Sequence, residues 1–352
     1  MKPTRSNDPD RSILLYSIAA FREFIARIFD LASPGSVCEI GIERGVSAMV
    51  LVDLCRAHGS RYTGIDPECP PSILNTGEED VVVFQARSLE ILPTLAPHDL
   101  YFIDGDHNYY TVRNELRFIL KEGHHWPIIL VHDIGWPYGR RDQYCRPESI
   151  PAEHRHSLEL STGILPRRDD SGEDSRSGAQ DDYQCWIADH EGGPGNGVLT
   201  AVEDFMIEKS HEGWQLIHIP AVFGLGILFA PAHCTPHVYR YLNSLAAATR
   251  ELHPLLDRLE ANRVTLLFAY LKGMRDFGGL HAEYGTLQSA NDGLLQHSTH
   301  LTKSYDTLHA EYDALLHEYH ALDAHAKALQ LAYDDLHRHF QMLLKAGQSA
   351  DK

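Results

Sequence analysis

Four acidic side chains stand where short apolar runs of the chain end: Glu39, Asp66, Asp104 and Asp133. Each run has the length and composition of a buried strand. In a parallel sheet the carboxyl ends of the strands meet at one edge, and ligands bind beyond that edge. The sequence therefore predicts a functional site there, because a purely structural protein has no use for a rim of mutually repelling carboxylates.

The third and fourth of these acids lie within denser clusters of polar residues. Asp104, Asp106 and His107 belong to a DGDH sequence, and His132 immediately precedes Asp133. Two strand-end carboxylates can hold a hard divalent cation such as Mg²⁺ and leave positions for substrate hydroxyls. Such a cation lowers the pKa of a bound hydroxyl, and a nearby histidine takes the proton. We predict His107 as a catalytic base.

A glycine-containing turn follows the first apolar run, in the sequence EIGIERGVS. Gly41 and Gly45 let the backbone approach a ligand closely, and the following helix offers free N–H groups. Glu43 stands where a dinucleotide motif has its middle glycine, which disfavours a pyrophosphate. Asp66 ends the next strand and suits the two hydroxyls of a ribose, although alone it also fits a helix N-cap. Together these features indicate an adenosine-containing ligand, and S-adenosylmethionine meets that description.

The segment after Asp133 opens with aromatic and cationic side chains, in the sequence WPYGRRD. Aromatic faces stack on sugar rings, and arginine suits a carboxylate or a phosphate. The predicted acceptor-binding residues are Asp106, Trp136, Tyr138, Arg140 and Arg141. The alternative is that they anchor the loop to the sheet.

Around these residues the chain alternates between strand-like and helix-like segments. This alternation predicts an α/β fold with a parallel, Rossmann-like sheet and an antiparallel hairpin at its end. Residues 134–197 form a long, loop-like insertion for substrate binding or a lid. The predicted helices are 11–31, 47–58, 89–95, 109–121 and 198–209, and the predicted strands are 36–40, 61–66, 81–86, 99–104, 127–133, 214–220 and 224–230.

The last part of the chain has a different pattern of apolar residues. From Leu280 to Leu343 a leucine recurs every seventh residue, which predicts a coiled coil over residues 280–345 and a homo-oligomer with an open number of strands. Nine histidines in this stretch scatter over its faces and indicate a solvated surface. The predicted domains are an N-terminal helical segment (1–34), a catalytic domain (35–235), a linker of two helices broken at Pro254 (236–279) with a hinge at Gly278 and Gly279, and the coiled coil.

Composition limits the class of protein. The 352 residues carry 31 basic and 49 acidic side chains, a formal charge of −18, which argues against a nucleic-acid binder. The six cysteines form no CxxC pair, and no apolar run approaches the roughly 20 residues of a membrane span. We expect a cytoplasmic protein without a transmembrane segment.

Four motifs in order, EIGIERGVS, GIDPE, FIDGDHNYYTVRNEL and ILVHD, resemble the class I S-adenosylmethionine-dependent methyltransferases over about residues 35–230. The most similar subgroup is a bacterial family whose fourth strand ends in DGDHxY, often found with sugar and polysaccharide modification. Macrocin-type macrolide sugar O-methyltransferases and cephalosporin hydroxylase-like proteins are more distantly similar.

This resemblance implies roles for particular residues. The methionine part of the cofactor would lie against the turn, the ribose on Asp66 and the adenine near Ser88. The metal-dependent sugar methyltransferases would place an acid at Asp104, the base at His107, and a pair of acids at His132 and Asp133. The histidine at 132 leaves open a softer metal, or none. The implied cofactor-binding residues are Glu39, Gly41, Gly45, Ser47, Asp66, Ser88 and Asp104, and the implied metal ligands are Asp104, His132 and Asp133.

The sequence thus predicts methyl transfer to a hydroxyl of a sugar, polysaccharide or secondary-metabolite precursor, with Asp104 and Asp133 positioning the acceptor. Two alternatives stay open. One is an oxygenase on the same scaffold that binds iron through His107, His132 and Asp133. The other is a non-catalytic coiled-coil scaffold with a vestigial adenosine site.

Overall fold

The computed structural model describes residues 17–69, 79–121, 125–161 and 185–350. The chain divides into two units, Met1–Arg275 and Asp276–Lys352. The first unit contains the α/β fold.

The strands and helices of the first unit follow the predicted order closely. The strands are β1 (Ser36–Ile40), β2 (Arg61–Ile65), β3 (Val81–Phe84), β4 (Leu100–Ile103), β5 (Ile128–His132), β6 (Gln143–Tyr144), β7 (Leu158–Ser161), β8 (Cys185–Ala188), β9 (Gln215–Ile219) and β10 (Leu225–Phe229). The helices are α1 (Arg22–Ala32), α2 (Val46–His58), α3 (Ser88–Ile91), α4 (Tyr109–Ile119), α5 (Val198–Glu208) and α6 (Pro236–Ala350). The first part of the predicted N-terminal helix, residues 11–16, lies outside the described residues.

The main sheet has seven strands in the order β3-β2-β1-β4-β5-β10-β9. Strands β1 to β5 pair in parallel, whereas β10 is antiparallel to both β5 and β9. The predicted α/β class, Rossmann-like sheet and terminal hairpin are confirmed. The central strands β1, β4 and β5 are buried throughout because both faces of the sheet are covered: α1, α2 and the start of α6 pack on one face, and α4 and α5 pack on the other.

The strand order reverses between β1 and β4, which places the expected ligand crevice at the carboxyl ends of these two strands. There the turn after β1 touches the segment after β4. Gly41 has φ +91°, and a Cβ atom on it would lie 2.2 Å from the carbonyl oxygen of Asp104. Only glycine fits this position, since any side chain would force the two strand ends apart.

The insertion after β5 is more ordered than predicted. Strands β6, β8 and β7 form a small antiparallel sheet, so the expectation of a loop without secondary structure is wrong for the described part. The start of the insertion also packs backbone against backbone, because a Cβ on Gly197 would lie 2.5 Å from the amide nitrogen of Arg141. Residues 162–184 of the insertion lie outside the described residues.

Helix α6 corrects the prediction of two helices and a hinge. It runs from Pro236 to Ala350 with Pro254 inside it, and Gly278 and Gly279 are also helical. Proline removes one helical hydrogen bond and costs about 3 kcal/mol, and each glycine costs about 1 kcal/mol. Around Pro254 the helix is held from both sides, since Val238 before it and Val264 after it are buried.

In the second unit, the leucines of the seven-residue repeat are exposed along the helix. Leu287, Leu308 and Leu336 have exposed fractions of 69%, 65% and 70%. A stripe of this kind is typical of a helix that packs against another helix. Among the described residues, every helix is too short or too polar to cross a membrane.

Candidate functional site

The polar side chains at the carboxyl ends of β4 and β5 form one compact group. Asp104 follows β4, His107 lies in the loop between β4 and α4, and Asp133 follows β5. One possible ligand atom from each of these three residues lies within 4.8 Å of the other two. His132, the last residue of β5, contacts both Asp104 and Asp133 through its Nδ1. The sequence therefore predicted correctly which of these residues come together.

His132 is fully enclosed, and acceptors face both of its ring nitrogens. Nδ1 lies 2.9 Å from Oδ1 of Asp104 and 3.5 Å from Oδ2 of Asp133, and Nε2 donates to the carbonyl oxygen of Val222 at 2.7 Å. Burial alone would lower the pKa of His132, but the two carboxylates outweigh it and raise the pKa well above its usual value. The ring is therefore an imidazolium that balances part of the negative charge of the two acids.

Asp133 connects the two histidines. Its Oδ2 lies 3.0 Å from Nδ1 of His107, while its Oδ1 is buried without a hydrogen-bond partner among the described residues. Burial would raise the pKa of Asp133, but His107 and His132 outweigh that effect and lower it. Asp133 also has φ +58°, a left-handed conformation that is uncommon for residues other than glycine and often marks a functional position.

A divalent cation fits Asp104, His107 and Asp133 better than the predicted set. Carboxylate oxygens suit hard cations, an imidazole nitrogen suits softer ones, and the partnerless Oδ1 of Asp133 is a further available ligand atom. His132 differs because each ring nitrogen already has a hydrogen-bond partner. In this arrangement both His132 nitrogens are engaged, so the ring cannot coordinate a metal. The predicted ligand set of Asp104, His132 and Asp133 is therefore not formed. The same holds for the two-histidine iron site of the oxygenase alternative.

The turn after β1 is braced by Asp66. Its Oδ2 accepts hydrogen bonds from the backbone N–H groups of Ile42 at 2.7 Å and Glu43 at 2.9 Å, and its Oδ1 accepts from that of Glu68 at 2.6 Å. Glu43 has φ +49°, a conformation that these bonds hold in place. Asp66 therefore shapes the cradle formed with Gly41, and a role in holding a ribose remains a prediction.

Glu39 lies beneath this turn, inside the apolar core. The hydroxyl group of Tyr62 donates to Oε2 of Glu39, while Oε1 of Glu39 is buried without a hydrogen-bond partner in the part of the chain that the structure describes. Burial raises the pKa of Glu39 to about 7, against hydrogen bonds from Ser47 and Tyr62. Ser47, at the start of α2, is itself buried. Glu39 is thus close to the turn but has no exposed surface.

A second buried acid was not expected from the sequence. Glu115 of α4 is fully buried, and the hydroxyl of Ser88 donates to its Oε1 at 2.5 Å. Its other oxygen, Oε2, has no hydrogen-bond partner within the described ranges. Burial raises the pKa of Glu115 to about 8. The sequence does contain a signal for this residue, since Glu115 lies on the apolar face of an amphipathic helix, between the buried residues Val112 and Ile119.

The predicted acceptor residues divide into two groups, and the first group faces the site. The ring of Tyr138 stacks on that of His107, with centroids 6.1 Å apart. Trp136 is 41% exposed, and its ring meets that of Phe268 edge to face. Trp136 therefore remains available to a ligand, whereas Tyr138 is buried against the His107 ring.

The second group anchors the insertion. Arg140 forms a two-pronged ion pair with Glu203 at 2.5 and 2.7 Å, and Arg141 donates to the carbonyl of Ala188. Asp106 accepts from the side chain of Thr111 and the backbone of Cys145. These contacts match the alternative in which the residues fasten the segment to the sheet.

Comparison with known proteins identifies a methyltransferase domain in part of the chain. Residues 38–134 match the family model "Methyltransferase domain". The matched stretch begins within β1, includes the glycine turn and ends two residues after β5. No curated protein matches the chain. Several solved structures are similar over much of their length. An SAH-bound methyltransferase, PaMTH1 from Podospora anserina, has 17% identity and a TM-score of 0.36, covering 64% of this chain and 82% of that one. The O-methyltransferase from Bacillus cereus in complex with SAH has 14% identity and a TM-score of 0.35, covering 62% and 84%.

Proposed function

We propose that the protein is an S-adenosylmethionine-dependent O-methyltransferase. The observation that carries this proposal is the pairing of His107 with Asp133 beside Asp104, directly next to the glycine turn at the switch point of the sheet. The methyltransferase family model matches the stretch that contains all of these residues. A general base and a cofactor cradle at one crevice are the parts that methyl transfer to a hydroxyl requires.

In the proposed reaction, Asp133 orients the ring of His107 through its Nδ1, and Nε2 takes the proton of the acceptor hydroxyl. The cofactor supplies an electrophilic methyl group on its sulfonium. The O–H bond breaks towards His107, the O–CH₃ bond forms as the S–CH₃ bond breaks, and S-adenosylhomocysteine leaves. When His107 acts as the base, a divalent cation held by the carboxylates of Asp104 and Asp133 would lower the pKa of the acceptor hydroxyl.

The proposed acceptor is a sugar or a polysaccharide or secondary-metabolite precursor. The support is Trp136, an exposed aromatic side chain two residues from Tyr138, whose buried ring stacks on that of His107. Aromatic faces of this kind suit the apolar faces of sugar rings. Arg140 and Arg141 do not support acceptor binding, because Arg140 pairs with Glu203 and Arg141 donates to the carbonyl of Ala188.

The second unit is proposed to assemble copies of the chain through a coiled coil over residues 280–345. The support is the exposed leucine stripe, which a lone helix would leave in water. We further propose a cytoplasmic location, which agrees with the free thiols of the five cysteines whose side chains are described.

Calorimetric titration of the full chain with S-adenosylmethionine and then S-adenosylhomocysteine tests the cofactor. We expect micromolar binding to the wild type and at least a tenfold loss in Asp66→Ala. Asp99→Ala is a matched control, because Asp99 also accepts from two backbone N–H groups, those of Gly35 and Ser36, at the amino end of the strands. No binding of either ligand to the folded wild type would refute the methyltransferase proposal and favour the coiled-coil scaffold.

A further inference from the structure

The turn between β9 and β10 has an unusual backbone. Val222 has φ +47° and Phe223 has φ +62°, although neither residue is glycine. A left-handed conformation costs roughly 1–2 kcal/mol per residue, and for a β-branched valine it is a clear outlier. Such a conformation persists only where its surroundings hold it in place.

This turn touches the candidate site at three points. The carbonyl of Val222 accepts the Nε2 proton of His132 at 2.7 Å, and the carbonyl of Phe223 accepts the N–H of Gly135 at 2.6 Å. The ring of Phe223 lies 6.0 Å from that of Tyr138. The position of the turn therefore sets the position of His132.

The support for the turn comes from helix α6, within the first unit. Oε1 of Glu260 accepts the backbone N–H of Phe223 at 2.7 Å. Arg263 holds both oxygens of Glu260, at 2.6 and 2.7 Å, and its guanidinium lies 4.9 Å from the centroid of the Phe223 ring. The carboxylate is 11% exposed. Burial would raise the pKa of Glu260, but hydrogen bonds from Arg263 and Phe223 outweigh burial and lower it.

We propose that Glu260 is a positioning residue of the active site: it fixes the Val222–Phe223 turn, whose carbonyl holds the His132 ring against Asp104. The long helix thereby takes part in organising the catalytic crevice. This role rests on the proposed function, since it concerns the same group of residues. Three hydrogen bonds connect these residues: Glu260 with Phe223, Val222 with His132, and His132 with Asp104.

The test separates the reach of the side chain from its charge. Glu260→Gln keeps the reach and the acceptor oxygen but loses the charge, whereas Glu260→Asp keeps the charge and shortens the side chain. Glu260→Ala removes both, and Glu251→Ala on the same helix is the control because Glu251 is exposed. Two properties of the full-length protein are measured: amide hydrogen exchange of the turn by mass spectrometry, and the Nε2 proton of His132 by NMR with ¹⁵N-histidine, assigned with His132→Gln.

We expect Glu260→Ala and Glu260→Asp to accelerate exchange in the turn about tenfold, because the hydrogen bond to the Phe223 N–H is lost, and to abolish the protected His132 signal. Glu260→Gln and Glu251→Ala should resemble the wild type. An unchanged His132 signal in Glu260→Asp, or a signal lost in Glu260→Gln, would overturn the proposal even if Glu260→Ala does not fold. Binding of S-adenosylhomocysteine, measured in parallel, reports on the proposed function independently, because no part of this readout requires the cofactor.

Discussion

Replacing Glu115 by glutamine should remove a large pH dependence of stability. Burial raises the pKa of Glu115 to about 8 from the 4.5 of an exposed glutamate, and the charge of Asp106 adds to this effect while the Ser88 hydroxyl opposes it. Between these two values the folded chain keeps a proton that the unfolded chain has lost. The free energy of unfolding of the wild type therefore falls as the pH rises from 4.5 to 8, and this contribution is fully present only below pH 4.5.

The size of the effect follows from the shift in pKa. A difference of 8 − 4.5 units, at 1.36 kcal/mol per unit, gives about 5 kcal/mol as a ceiling, and relaxation around the ionised group reduces it. Glutamine has no proton to lose, and its amide oxygen can still accept from Ser88. At low pH the variant should be slightly less stable than the wild type, because its amide group lacks a second partner. Above pH 8 it should be more stable by several kcal/mol.

Urea unfolding at several pH values between 4.5 and 9, followed by tryptophan fluorescence, measures this difference. All four tryptophans lie between Trp126 and Trp214, so the fluorescence reports on the α/β unit. The pH dependence due to Glu39 is present in both proteins and cancels when they are subtracted. Glu90→Gln on α3 is the control, since Glu90 is exposed. A difference between wild type and Glu115→Gln that stays constant with pH would refute the reasoning.

Three further outcomes are expected. Gly41→Ala should destabilise the protein by at least about 2 kcal/mol because its Cβ would meet the Asp104 carbonyl. Gly59→Ala, which has a positive φ but open space, should lose only about 1 kcal/mol; equal melting temperatures for the two variants would contradict this. Asp133→Asn should weaken the binding of Mn²⁺, followed by its EPR signal, at least tenfold, and the absence of Mn²⁺ binding to the wild type would remove the metal from the mechanism. Leu308→Glu should shift the sedimentation of the full chain towards the monomer, and a wild type that already sediments as a monomer would rule out the coiled coil.

The sheet and its acids were predictable because they depend on local pattern. Short apolar runs that end in an acid identify β1, β2, β4 and β5 directly, and parallel pairing brings the ends of such strands to one edge. Hence the sequence alone brings Asp104, His107 and Asp133 to one site, in agreement with their distances.

Other features depend on contacts between distant parts of the chain and have no local pattern. The bracing of the glycine turn by Asp66 requires the spatial pairing of β1 with β2. Glu115 meets Ser88 across 27 residues, and Glu260 meets Phe223 across 37. The continuity of α6 through Pro254 depends on buried side chains on both sides of the proline, which helix-breaking rules do not include.

The histidine at position 132 changes the charge of the site relative to the resembling sugar methyltransferases, which have a carboxylate there. As an imidazolium between Asp104 and Asp133, it contributes a positive charge where a third acid would contribute a negative one. A divalent cation is therefore attracted less strongly than by three carboxylates. The same charge balance leaves Asp133 as an anion that orients His107. Within the proposed function, the histidine base rather than the cation is then the indispensable part, and Mn²⁺ titration of the wild type tests whether a cation binds the site at all.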